Sequence, residues 1–132
     1  MDIKYLDALP EVTNKYQVDL EDGEKVVFTA KLNTFGTEKD RMLGADDSTF
    51  TLTNKRIIAH NSVAFWAVDI PEIVSCTKVE YGRFIFKGVY FAVDLNTKIV
   101  FDDGKQELTG FHFYFNKANT AKFEEIVNSL SK

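Results

Sequence analysis

Residues 48 to 60, Ser48-Thr49-Phe50-Thr51-Leu52-Thr53-Asn54-Lys55-Arg56-Ile57-Ile58-Ala59-His60, read as two strands joined by a tight turn. Phe50 and Leu52 alternate with Thr49, Thr51 and Thr53, the two-residue period of a half-buried strand. Asn54-Lys55 interrupts that period before the aliphatic run Ile57-Ile58-Ala59. Asn accepts positive φ and bonds its own backbone, so the interruption predicts a hairpin. Nothing in the stretch is chemically reactive, and its information concerns fold.

Strand signals continue on both sides. Glu21-Asp22-Gly23-Glu24 marks a turn, after which Val26, Phe28, Ala30 and Leu32 alternate with Val27, Thr29, Lys31 and Asn33. Residues 34 to 47 hold two glycines and mixed charge, and read as the longest loop or as a strand end plus a loop. Downstream, Ala64 to Ile70 form a strand closed by Pro71, which cannot donate to a ladder. Residues 73 to 81, 84 to 93, 98 to 102 and 110 to 115 are further strand candidates. Gly82, Asp94-Leu95-Asn96-Thr97 and Asp102-Asp103-Gly104-Lys105 divide them, and Phe111, Phe113 and Phe115 share one face of the last.

The period then changes. Phe123, Ile126, Val127 and Leu130 follow helical spacing, with Lys122, Glu124, Glu125 and Asn128 opposite, and Asn116 or Asn119 is placed to cap. At the other end, Ile3, Leu6, Leu9, Val12 and Tyr16 are near helical spacing until Pro10, which predicts a short helix followed by a turn or second helix. Seven or eight antiparallel strands with short turns predict a barrel or sandwich. The terminal helix has one apolar stripe to bury, and it fits an open barrel end or the mouth between two sheets.

Composition narrows the function. The chain has 132 residues, enough for one domain with a core of its own. Its net charge of −4 opposes general binding to nucleic acid or anionic membrane, which needs a positive field. One cysteine, Cys76, excludes an internal disulfide and a four-cysteine zinc site, and its strand-like neighbours predict a buried, inert thiol. His60 and His112 have no partner at metal-ligand spacing. The acidic pairs Asp46-Asp47 and Asp102-Asp103 read as turns, and Lys98 stands where a calcium loop starting at Asp94 needs an oxygen. No glycine-flanked serine and no phosphate-cradling glycine loop occur. With no long apolar segment near the start, a cytoplasmic location is expected. Of Phe65 and Trp66, adjacent in a strand, whichever points outward would make an exposed aromatic of the kind that anchors interfaces, with core packing the favoured role.

Three features together resemble the pleckstrin-homology-like superfamily, and within it the GRAM and bacterial PH domains. They are Gly23-Glu24 before the first strand, the Phe50-to-Ile58 hairpin with its Leu-Thr-Asn-x-Arg core, and Val68-Asp69-Ile70-Pro71-Glu72-Ile73. The resemblance covers about residues 20 to 132. It implies a mainly β (α+β) fold, a PH-like barrel of seven or eight antiparallel strands in two packed sheets capped by a C-terminal helix. Residues 1–20 then form a short helical extension and residues 21–132 the PH-like domain. It also implies a non-enzymatic module without cofactor or metal, working through a protein partner or self-association, including homo-oligomers. Thr53, Asn54, Arg56, Asp69 and Ile70 are its structural signature, with Arg56 expected to bond loop carbonyls or a carboxylate such as Asp69. Lipid-binding members use the region of the 34–47 loop, which makes Lys31, Lys39 and Arg41 the candidate headgroup contacts and peripheral lipid binding the alternative function. Glu38, Asp40, Asp46 and Asp47 lie beside those three cations and weaken any anion clamp.

Overall fold

The computed structural model describes residues 4–37, 48–61, 65–82, 84, 88–101 and 106–130. Among these, the order is α1 (Lys4–Ala8), β1 (Val26–Thr37), β2 (Thr49–Thr53), β3 (Arg56–His60), β4 (Phe65–Asp69), a 3-10 turn (Ile70–Glu72), β5 (Ile73–Tyr81), β6 (Gly88–Phe101), β7 (Gln106–Phe115) and α2 (Lys117–Leu130). The seven strands are antiparallel neighbours in one sheet, in the order β4-β3-β2-β1-β7-β6-β5.

The ladder is one seven-stranded order and does not by itself show the expected two packed sheets. β1 joins the halves: Val26 to Lys31 pair with β2, whereas Leu32 to Thr37 pair with β7. The hydrogen-bonded order therefore never breaks, and among the described residues it ends at β4 and β5 without closing. The sheet is nonetheless folded over itself. In a flat sheet, four strand spacings would hold β4 and β7 about 19 Å apart, yet the rings of Trp66 and Phe111 lie 3.9 Å apart. Register shifts occur between Val26 and Phe28, at the start of β1, and between Leu32 and Thr34, where the strand changes partner; such irregularities permit the bend.

The strand count settles at seven among the described residues because two expected strands are one. β6 runs through Asp94-Leu95-Asn96-Thr97, which had read as a turn. Its pairing with β7 jumps from Asp94↔Gly110 to Ile99↔Leu108, so the polar run is accommodated as an irregularity in one strand. β1 continues to Thr37, four residues into the 34–47 stretch, as in the reading of a strand end plus a loop; the rest of that stretch lies outside the described residues.

The core sits inside the fold and is aromatic. Phe50, Phe91, Phe111 and Phe113 are fully buried, and Trp66 is buried with them while Phe65 points out. α2 fills the open end. Phe123 lies 4.7 to 5.6 Å from the rings of Phe28, Phe50, Phe91 and Phe115, and Ile126 and Val127 are buried beside it. Asn116 caps the helix through its Oδ1, which accepts from the Asn119 N–H at 2.8 Å. None of the described helices is long and apolar enough to cross a membrane.

A second, thinner layer lies outside the sheet. Thr51, Thr53 and Ile58 alternate away from the core yet are buried. The segment after α1 covers them: Tyr16 meets the His60 ring edge-on at 6.5 Å, the Asp19 carbonyl accepts from Arg56, and Val18 is buried. Asn14 and Val18 bond each other twice, and the Val12 N–H donates to the Val26 carbonyl at 2.8 Å. Leu6 of α1 is fully buried in the main core. Leu6→Ala should therefore lower stability by about 2–5 kcal/mol in urea unfolding, while Val12→Ala, at an exposed position, should change it by under about 0.5 kcal/mol.

Candidate functional site

The hairpin signature is built around one carboxylate. Glu24 begins where the Asp22-Gly23 turn, with Gly23 at φ +76°, delivers the chain to β1, and its side chain is 0% exposed. Its Oε2 accepts from Arg56 Nε at 2.9 Å and its Oε1 from Arg56 Nη2 at 2.9 Å, a bidentate pair. Thr53 Oγ1 donates to Oε2 at 2.6 Å, and Oε1 also accepts the Glu21 N–H at 2.9 Å. Burial opposes ionisation of Glu24, but the bonds from Arg56, Thr53 and the Glu21 backbone outweigh it, and its pKa lies below the ordinary carboxylate range. The bond to Glu24 holds the Arg56 pKa above its ordinary value.

The Thr53 hydroxyl spends its full hydrogen-bonding capacity here, and Asn54 uses both amide protons and one acceptor site of its oxygen. The Thr53 hydroxyl accepts the N–H groups of Lys55 and Arg56 at 3.0 and 2.8 Å, which shapes the turn. Asn54 Oδ1 accepts the Lys25 N–H at 2.8 Å, and its Nδ2 donates to Asp7 Oδ1 at 2.9 Å and to the Gly23 carbonyl at 3.2 Å. Lys25 Nζ donates to the Asp7 and Leu9 carbonyls, and Lys55 Nζ to that of Asp22. The knot thus ties the N-terminal segment, the first turn and the β2–β3 hairpin together.

Asp69 faces Arg56 across the β3–β4 pair, but the guanidinium turns to Glu24 and the Asp19 carbonyl instead, and Asp69 is exposed. The signature residue Ile70 is fully buried, and its N–H donates to the Lys55 carbonyl at 2.9 Å. Sequence reasoning missed Glu24 as the anchor, along with Asp7 and Lys25. The signal was present in Gly23-Glu24, since a carboxylate directly before an apolar strand next to a hairpin Arg needs a cation when buried.

Of the candidate headgroup contacts, Lys31 lies exposed on β1, opposite Thr49. Lys39 and Arg41 lie outside the described residues. Among the described residues no three His, Cys, Asp or Glu side chains cluster at metal-binding distance. Cys76 packs against the core, where burial and then the Asp94 carboxylate push its thiol up to about 12.

Two other surfaces have the character of contact sites. A groove of ≈ 390 Å³ runs between Leu9 and Val12, β1 and α2, with Phe28 and Ile126 in its wall and Lys122 and Glu125 at its rim. On the opposite half, the outward face of β5, β6 and β7 carries a ring cluster. Tyr90 stacks on His112 at 4.5 Å and lies 5.1 Å from Tyr114 and 5.9 Å from Tyr81. Tyr81 lies over Gly88, its cross-strand partner, so closely that a Cβ there would overlap the ring. The cluster ends at the β5 edge, where Val74 is 63% and the nearby Phe84 86% exposed.

No protein-family model matches the sequence, and no curated protein is significantly similar to it.

Glu24→Gln should cost on the order of 3 kcal/mol near neutral pH, because it leaves the Arg56 guanidinium without its counter-charge. Because the folded-state pKa of Glu24 is depressed, the wild-type advantage is complete above the unfolded carboxyl range and vanishes as pH falls through the folded value. Urea titrations of both proteins across acidic pH check this; a gap that stays constant down to full protonation contradicts it.

Proposed function

We propose that this chain is a non-enzymatic, PH-like interaction module of the GRAM and bacterial PH type, acting in the cytoplasm by binding protein, foremost a second copy of itself. The observation that carries the reading is the β5 edge. It is a nine-residue strand at the end of the sheet, with exposed Val74 near its start and exposed Phe84 after its end, and it is backed by a tyrosine-rich outer face. An edge strand offers unpaired backbone groups to another chain, and rigid aromatics supply binding energy at interfaces. The Glu24 knot supports the same reading from the other side, since its polar groups are consumed in holding segments together and are not presented to a ligand.

Light scattering across a concentration series tests the proposal. The expected mass exceeds that of one 15.1 kDa chain and falls towards it on dilution; a single-chain mass throughout overturns self-association. Liposome co-sedimentation is expected to show no gain with anionic lipid. Binding that disappears when Lys31, Lys39 and Arg41 are replaced would install the lipid reading in its place.

A further inference from the structure

We infer that two copies of this chain pair β5 against β5 across a two-fold axis through Val79. The inference rests on the self-association reading above and adds which surface is used and in what register.

Along β5, side chains alternate between two environments. Thr77, Val79 and Tyr81 lie on the outer face, where Tyr81 meets Tyr90 and Tyr114. Cys76, Lys78 and Glu80 lie on the inner face, where Cys76 packs on the core and Lys78 Nζ reaches Glu124 of α2 at 2.8 Å. Residues directly opposed in an antiparallel pair share a face. A symmetric β5 pair must therefore place one residue on the axis, which leaves few registers.

Charge selects among them. An inward-facing charge on an edge strand usually blocks pairing, and Lys78 would do so in most registers. With Lys78 on the axis it opposes itself, and with Glu80 on the axis that carboxylate opposes itself. With Thr77 on the axis, Lys78 faces Cys76 and Glu80 faces Val74, so neither meets an opposite charge on the other copy. Only with Val79 on the axis does each Lys78 face the Glu80 of the other copy. Glu80 is suited to this, because its side chain is 75% exposed and its contact with Lys78 in its own chain is long, at 3.7 Å.

Two further complementarities come with that register. On the outer face Val79 meets Val79 and each Tyr81 lies against Thr77 of the other copy, which extends the tyrosine cluster across the axis. An antiparallel pair also brings the end of one β5, followed by the exposed Phe84, beside the start of the other, which carries the exposed Val74. The two-fold axis repeats that meeting of apolar side chains at both ends of the pair. The edge strand is thus guarded against general pairing while one self-complementary register is left open, the isologous geometry of a closed dimer.

Charge reversal in trans tests the register. Lys78→Glu and Glu80→Lys each create two like-charged pairs in the homodimer, and each alone should weaken self-association about tenfold or more. Mixed in equal amounts, the two variants present only opposite pairs to each other and should form a heterodimer, detected by light scattering or by pull-down between differently tagged chains. Rescue by mixing cannot arise from a folding defect. Should Lys78→Glu unfold, Val79→Cys in a Cys76→Ser background replaces it: only the residue on the axis should form an interchain disulfide under mild oxidation, and Thr77→Cys should not. If the wild-type chain associates but the single variants associate equally well, or the mixture shows no preference, the register is wrong and self-association stands. If the wild-type chain stays single at about 1 mM, both fail.

Discussion

A carboxylate taken out of water must be met by charge and hydrogen bonds or it will not stay ionised. Glu24 is met by both, and the way it is met organises one end of this molecule. Arg56 supplies the counter-charge in a bidentate fork, Thr53 adds a hydroxyl, and the Glu21 backbone closes the turn. The partners come from separate stretches of chain, so the carboxylate is satisfied only when the first turn and the β2–β3 hairpin are correctly placed. Arg56 then extends the knot to Asp19, and Asn54 to Asp7, fixing the N-terminal segment over the sheet. The energy of such a pair is modest once desolvation is subtracted, but its geometry is demanding, and the demand specifies register.

From that end the sheet is bent by a strand with two sets of neighbours. β1 gives its first half to β2 and its second half to β7, so the two halves of the sheet cannot part without breaking a single strand. Folding the sheet over creates an apolar mouth, and Phe123 fills it with rings on every side. The sheet and the helix therefore stabilise each other: without α2 the bend exposes phenylalanines, and without the bend the helix has no site for its stripe.

Much of this was legible in the residues. The alternation of Phe111, Phe113 and Phe115 gave a strand with one buried face, and the spacing from Phe123 to Val127 gave the helix. Two features were not legible, for a common reason. Asp94-Leu95-Asn96-Thr97 has turn composition, but β5 pairs alongside it and Leu95 is buried opposite Ile73, so tertiary pairing overrides the local preference. Thr51 and Ile58 sit where alternation assigns solvent, yet a distant segment covers them. The partner of Arg56 was only half legible: Gly23-Glu24 held the signal, but the nearby carboxylate Asp69 was the expected partner, while the bond runs to a residue far away in sequence. For the candidate contact surface, the edge position of β5 follows from strand order, which periodicity does not encode; only the exposed chemistry of Lys78, Glu80 and Phe84 was visible beforehand as residue type.

The ring of Tyr81 lying across Gly88 has a consequence for how the molecule tolerates change. A side chain from one strand occupies the space that the glycine of its partner leaves empty, so the β5–β6 ladder is fastened at its last pair, and the two strands set their own alignment. Lengthening the connection between them costs only about 0.6 kcal/mol per doubling. This makes the span between Gly82 and Gly88 a natural splice point, where added sequence can diversify a surface beside the edge while the frame beneath it holds.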